Sequence, residues 1–103
     1  MNTGEAWSGS LPDDIARRVA ECLSEPDRSI ALALLSRAVI HDGKLADDRL
    51  RRCALVASKG SLEQLRYYVG LLAIDYRDVI VAGEYEVIES KLARVRDLTM
   101  PFE

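Results

Sequence analysis

The chain has 103 residues, of which 49% are hydrophobic and 30% are charged, and its formal net charge is −3. This length suits a single domain, and the composition is that of a globular protein rather than a disordered or membrane-spanning chain. The mildly acidic total argues against a protein dedicated to coating nucleic acid or binding anionic membranes. The N-terminus lacks the basic start and apolar run of a signal peptide, and no apolar run is long enough to cross a bilayer. We therefore expect a soluble, cytoplasmic protein.

The first predicted helix follows a flexible arm. Residues 1–9 are rich in Gly, Ser, Thr and Asn, and in this arm Trp7 either folds back on the domain or contacts a partner. Ser10 is a good N-cap residue. The helical spacing of the apolar residues after it predicts a helix from about Leu11 to Leu23.

Two further helices are predicted before the middle of the chain. Ser24 is the cap of the second, whose segment from Ile30 to Ile40 is apolar on nearly all sides, as in a central helix. Gly43, in the sequence HDGK, is expected to end it. The third runs through the sequence LADDRLRRCALVASKG and stops at Gly60. The short connections predict antiparallel or moderately angled packing.

The C-terminal part predicts two more helices and contains one ambiguity. Ser61 and Gln64 form a capping-box pattern for a fourth helix. Residues 62–82 form either one helix or two, and the capping residue Asp75, followed by a β-branched cluster, favours a break beside it. The spacing of the last segment predicts a fifth helix with four residues on one face: Tyr85, Ile88, Leu92 and Val95.

The expected fold is therefore all-α, a compact bundle of about five short helices. These helices form one domain, residues 10–98, between the 1–9 arm and an extended tail, residues 99–103. Cys22 and Cys53 form neither a CxxC pair nor a zinc-binding spacing. We expect both thiols to be reduced and buried.

The sequence contains no recognisable catalytic or cofactor-binding motif. His41 is the only histidine, and it lies where a helix is predicted to end, without an identifiable nucleophile. The glycines fit neither GxGxxG nor GxxxxGK[ST], and no Cys/His cluster has metal-site spacing. We therefore assign no catalytic, cofactor-binding or metal-binding residue and expect no cofactor.

A helix-turn-helix DNA-binding protein is the first alternative. The third and fourth predicted helices, joined by a tight turn, have the arrangement in which the second helix enters a major groove. This region has a local excess of cations in an otherwise acidic chain. An ordinary helical hairpin has the same pattern, which weakens the DNA-binding interpretation. The candidate DNA-contacting residues are Arg49, Arg51, Arg52, Lys59 and Arg66.

The sequence DYRDVIVAGEY, residues 75–85, is the candidate partner-binding surface. Asp75 and Asp78 can share one helical face, which gives a second alternative, a small enzyme or metal-binding protein. Capping explains most of the stretch as a helix junction, with Asp75 beginning a helix and Gly83 ending it. Such a junction gathers polar side chains, and the candidate partner-binding residues are Asp75, Arg77, Asp78, Glu84 and Tyr85.

The leading hypothesis is a small, non-enzymatic protein–protein interaction or regulatory module. It depends on the capped helices, the aromatic arm and the paired tyrosines Tyr67 and Tyr68, a residue type favoured at interfaces. We expect the partner to be another protein or a second copy of the chain. Nucleic acid is the less favoured partner, and no membrane binding is expected.

Overall fold

The computed structural model describes residues 11–102, in which four helices precede a two-stranded antiparallel sheet. The all-α prediction is confirmed in part, since residues 11–102 are mostly helical but include a small sheet, and the count of five helices is wrong. The proposed arm, with Trp7, and the Ser10 cap lie outside the described residues. The elements are α1 (Asp13–Cys22), α2 (Asp27–Ser36), α3 (Asp48–Ser58), α4 (Leu62–Glu84), β1 (Tyr85–Ile88) and β2 (Lys91–Arg94).

The predicted fifth helix is a β-hairpin. Strand β1 pairs with β2 in a register that sets Tyr85 opposite Arg94 and Val87 opposite Leu92. Glu89 and Ser90 form the two-residue turn, with φ of 52° and 66°. Two successive positive φ values are those of a type I′ turn, whose twist matches that of paired strands. Of the four residues that suggested a helical face, Tyr85 and Ile88 lie in β1, Leu92 lies in β2 and Val95 follows β2 directly.

The second helix ends at Ser36, earlier than predicted, and Gly43 does not end it. The segment after the helix instead forms a short β-bridge between Val39 and Leu45. The Ala46 N–H donates to the Ala38 carbonyl at 2.8 Å, which closes this bridge. Gly43 occupies the intervening turn with a φ of +83°, a conformation that glycine adopts without strain.

Side-chain caps begin helices α3 and α4, and the one predicted from the sequence, Ser61, is confirmed. The Asp47 side chain accepts a hydrogen bond from the Leu50 N–H at the start of α3. The Ser61 hydroxyl accepts one from the Gln64 N–H at the start of α4. Each cap satisfies a backbone donor that has no partner within the helix, which fixes where the helix begins.

Helix α4 is kinked at Asp75, so the predicted break is confirmed. Asp75 has non-helical angles, φ −154° and ψ 95°, and its carboxylate accepts from the Arg77 N–H at 3.1 Å. An unbroken helix would separate Leu62 from Gly83 by about 31 Å. The segment that joins Cys53 to Leu62 can span at most about 23 Å, which is less than this separation. Since Gly83 nevertheless contacts Cys53, the kink must turn the second half of α4 back toward α3.

The core lies between α3, α4 and the two N-terminal helices. Its fully buried side chains are mainly aliphatic and include Ile15, Leu35, Leu65 and Leu72. Cys53 is buried as predicted, but Cys22 is exposed at the end of α1, so that prediction was wrong. The C-terminal segment is tied to α1, since the Phe102 N–H donates to the Asp14 carboxylate at 3.0 Å. No helix among residues 11–102 has the length and hydrophobicity to cross a membrane.

Candidate functional site

Glu84, the last residue of α4, is a fully buried carboxylate that accepts hydrogen bonds from three separate segments. Arg49 of α3 donates from Nε to Oε2 at 2.9 Å and from Nη2 to Oε1 at 2.8 Å. Arg94 of β2 donates from Nε to Oε1 at 3.0 Å. The Leu98 N–H donates to Oε2 at 3.2 Å. This cluster therefore fastens the hairpin and the C-terminal segment to the helices.

The environment of Glu84 keeps it ionised and leaves it without the features of a catalytic group. Hydrogen bonds from Arg49 hold the pKa of Glu84 below its usual 4.5, and they outweigh the opposite effect of burial. Burial, followed by the nearby Glu84 charge, raises the pKa of the Cys53 thiol to about 12. Cys53 is therefore a protonated thiol, a weak nucleophile. The cluster is suited to holding structure in place.

The candidate partner-binding residues predicted from the sequence do not form one surface. Asp75 and Arg77 lie at the kink, where their side chains form an exposed ion pair at 3.2 Å. Glu84 follows nine residues later, about 13 Å along a helix, and it is buried. The prediction that Glu84 contacts a partner is therefore corrected, because its carboxylate binds groups inside the protein. Asp78 is exposed and Tyr85 is half-buried at the base of the hairpin.

Three of the five candidate DNA-contacting arginines and lysines are engaged inside the protein. Arg52 is buried, and its guanidinium binds the Asp14 carboxylate at 2.9 Å. Arg51 is also buried and donates to the Leu35 carbonyl at 2.8 Å, while Arg49 binds Glu84. The buried Arg51 and Arg52 cannot reach a phosphate without breaking the core, so their assignment as DNA contacts is corrected. Arg49 is half-buried and held by Glu84. The two that remain exposed are Lys59 and Arg66.

The metal alternative at Asp75 and Asp78 gains no support from the geometry. The Asp75 carboxylate is already paired with Arg77, and hydrogen bonds from Arg77 hold the pKa of Asp75 below its usual value. Within residues 11–102, no group of three or more His, Cys, Asp or Glu side chains is placed to hold a metal ion.

The hairpin displays aliphatic side chains to solvent, a feature that the sequence-based predictions missed. Val87 and Leu92 stand directly opposite each other, and 72% and 57% of their surfaces are exposed. Ile88 and Val95 are exposed as well. Because opposite residues on antiparallel strands share a face, Val87 and Leu92 form one apolar pair. Among residues 11–102 the sheet has two strands, so each has an edge that no other strand of that range pairs with.

A groove of about 500 Å³ lies between β1 and the end of α3. Val56, Ala82, Tyr85 and Val87 contribute its apolar part. Lys59, the residue in left-handed conformation that ends α3, also lines it. The groove thus places apolar surface, Lys59 and the Arg96–Glu86 ion pair beside the free edge of a strand.

Comparison with protein-family models, curated proteins and solved structures finds no match for this chain. The protein is therefore classified by its fold alone, as a mostly helical domain that carries an anchored β-hairpin.

Proposed function

We propose that this protein is a non-enzymatic protein–protein interaction module whose docking element is the hairpin β1–β2. The observation that carries the proposal is the exposure of Val87 and Leu92, an aliphatic pair on one face of a two-stranded sheet. Exposed aliphatic side chains beside an unpaired strand edge are a site for pairing with another chain.

The anchoring of the hairpin supports a docking role. Glu84 precedes β1 directly and binds Arg94 within β2, so both strands are tied to α3 through Arg49. Arg96 adds a second fixation by donating to the Gly83 carbonyl at 2.7 Å. A binding element that is already ordered loses less conformational entropy when it binds. The hairpin is therefore suited to recognition without prior folding.

Site-specific photo-cross-linking tests the proposal. A benzophenone side chain at position 87 should give a discrete covalent adduct with a protein in extracts of the source cells. The same group at Arg17, exposed on α1, is the matched control and should give none. Excess unlabelled protein should compete the adduct away or, where the partner is a second copy, enter it, whereas the Val87→Asp/Leu92→Asp variant should do neither.

Two results would contradict the proposal. One is the absence of any adduct at position 87, and the other is an adduct that forms equally at position 17 or is competed equally by the double variant. Circular dichroism of the double variant establishes that the helices are intact, since both substituted side chains lie on the exposed hairpin.

A further inference from the structure

The proposed function leaves open which chain occupies the free edge of β1. We propose that the occupant is β1 of a second copy of this protein, paired antiparallel about a two-fold axis to give a four-stranded sheet. This inference rests on the proposed function and names the partner of the same hairpin.

The backbone of Val87 supplies the hydrogen bonds for this pairing. The two-residue turn pairs Ile88 with Lys91, and the Val95 N–H donates to the Glu84 carbonyl at 2.8 Å. In an antiparallel pair, residues alternate between facing their partner strand and facing away from it. Residues 84, 86 and 88 therefore face β2, and the N–H and C=O of Val87 face outward.

A two-fold axis beside Val87 gives a register that satisfies these groups. Val87 stands opposite the partner's Val87, and the two residues exchange both N–H···O=C bonds. The same register brings the partner's Glu89, the first residue of its turn, next to Tyr85. It also brings the two exposed Val87–Leu92 pairs side by side, so that one apolar stripe crosses all four strands.

The charges agree with this register. Lys59 lines the groove together with Tyr85, and neither Lys59 nor Glu89 forms an ion pair with another residue of the 11–102 range. In this register the partner's Glu89 comes next to Tyr85 and hence to the groove that Lys59 lines. The two-fold axis makes this contact twice. Glu86, the acid within β1, is already neutralised by Arg96 at 2.6 Å.

A charge-exchange experiment tests this pairing by sedimentation velocity over a concentration series. The wild-type chain should dimerise, and Lys59→Glu or Glu89→Lys should each weaken dimerisation by about tenfold, or 1.4 kcal/mol, because both contacts become repulsive. An equimolar mixture of the two variants should recover dimerisation, since each of its two contacts then joins opposite charges. Recovery in the mixture also excludes misfolding as the cause of the loss.

Proline substitutions distinguish the two edges of the hairpin. Val87→Pro removes the outward N–H of β1 and should abolish dimerisation. Leu92→Pro removes the outward N–H of β2 and should weaken dimerisation no more than Leu92→Ala, which removes the side chain alone. A wild-type chain that stays monomeric at its highest soluble concentration would overturn the inference, as would a mixture that fails to dimerise. A monomer that still gives the position-87 adduct would overturn this inference alone and leave the proposed function standing.

Discussion

Replacing Glu84 by glutamine should lower the free energy of unfolding by about 3 kcal/mol, the cost of removing one partner from a buried ion pair. The amide keeps the size of the side chain but removes its charge. It also turns an N–H₂ group toward donors on Arg49, Arg94 or Leu98. Since a domain has only about 5–15 kcal/mol of stability, this loss should be large in urea unfolding followed by circular dichroism.

The matched control is Glu86→Gln, the same chemical change two residues later. Glu86 is exposed and makes one ion pair with Arg96, so its loss should cost less than about 1 kcal/mol. Equal effects of the two substitutions would mean that the Glu84 cluster does not hold the hairpin to the helices.

Acid provides a second control on the same carboxylate. The pKa of Glu84 is lowered in the folded protein by hydrogen bonds from Arg49. Its contribution is therefore complete above the unfolded-state pKa of about 4.3 and is lost as the pH falls through the lower folded-state pKa. The stability difference between wild type and Glu84→Gln should shrink over that acid range. A difference that does not change with pH would contradict the assignment of a charged Glu84.

Gly83→Ala should destabilise the protein by about 2 kcal/mol, within the range for overpacking, although alanine is the better helix former. A Cβ at Gly83 would lie 2.6 Å from Cys53 Cα and 2.8 Å from the Cys53 carbonyl oxygen. These are backbone atoms of α3, which cannot move without shifting the helix. The substitution would push apart α3 and the end of α4, where Glu84 is bound.

Gly70→Ala is the control, because Gly70 also lies within α4 and a Cβ there meets no atom within 4 Å. It should stabilise the protein by about 0.5–1 kcal/mol, since alanine loses less backbone entropy than glycine in a helix. Thermal or urea unfolding of both variants measures the contrast. Stabilisation by Gly83→Ala would show that α3 and α4 do not pack at this point.

The features that the sequence predicted are those that depend on neighbouring residues. Ser61 and Gln64 are three residues apart, and a cap between them is visible in the sequence because capping is local. The kink at Asp75 was predicted for the same reason, since the side chain bonds a backbone N–H only two residues away. Its consequence, the return of Gly83 to Cys53, depends on the path of the whole helix.

The features that sequence reasoning missed depend on distant residues or on an uncommon turn. The Glu84 cluster joins residues up to 35 positions apart, and no local pattern marks Arg49 as its partner. The hairpin was missed because Glu89 and Ser90 occupy positions where Asn and Gly are usual. The sequence did contain one signal for the hairpin. Val87 is apolar but does not lie on the helical face predicted from Tyr85, Ile88, Leu92 and Val95, so a helix leaves it unexplained.

Amide exchange at two positions tests most directly whether the free edge of β1 is the docking edge. The Val87 and Leu92 N–H groups both face outward from the hairpin, one on each edge, so they should exchange at similar rates in dilute protein. As the protein concentration rises, exchange at Val87, followed by NMR, should slow while exchange at Leu92 does not change. Equal exchange at both positions at every concentration, or protection of Leu92 instead of Val87, would contradict the pairing of two copies through β1.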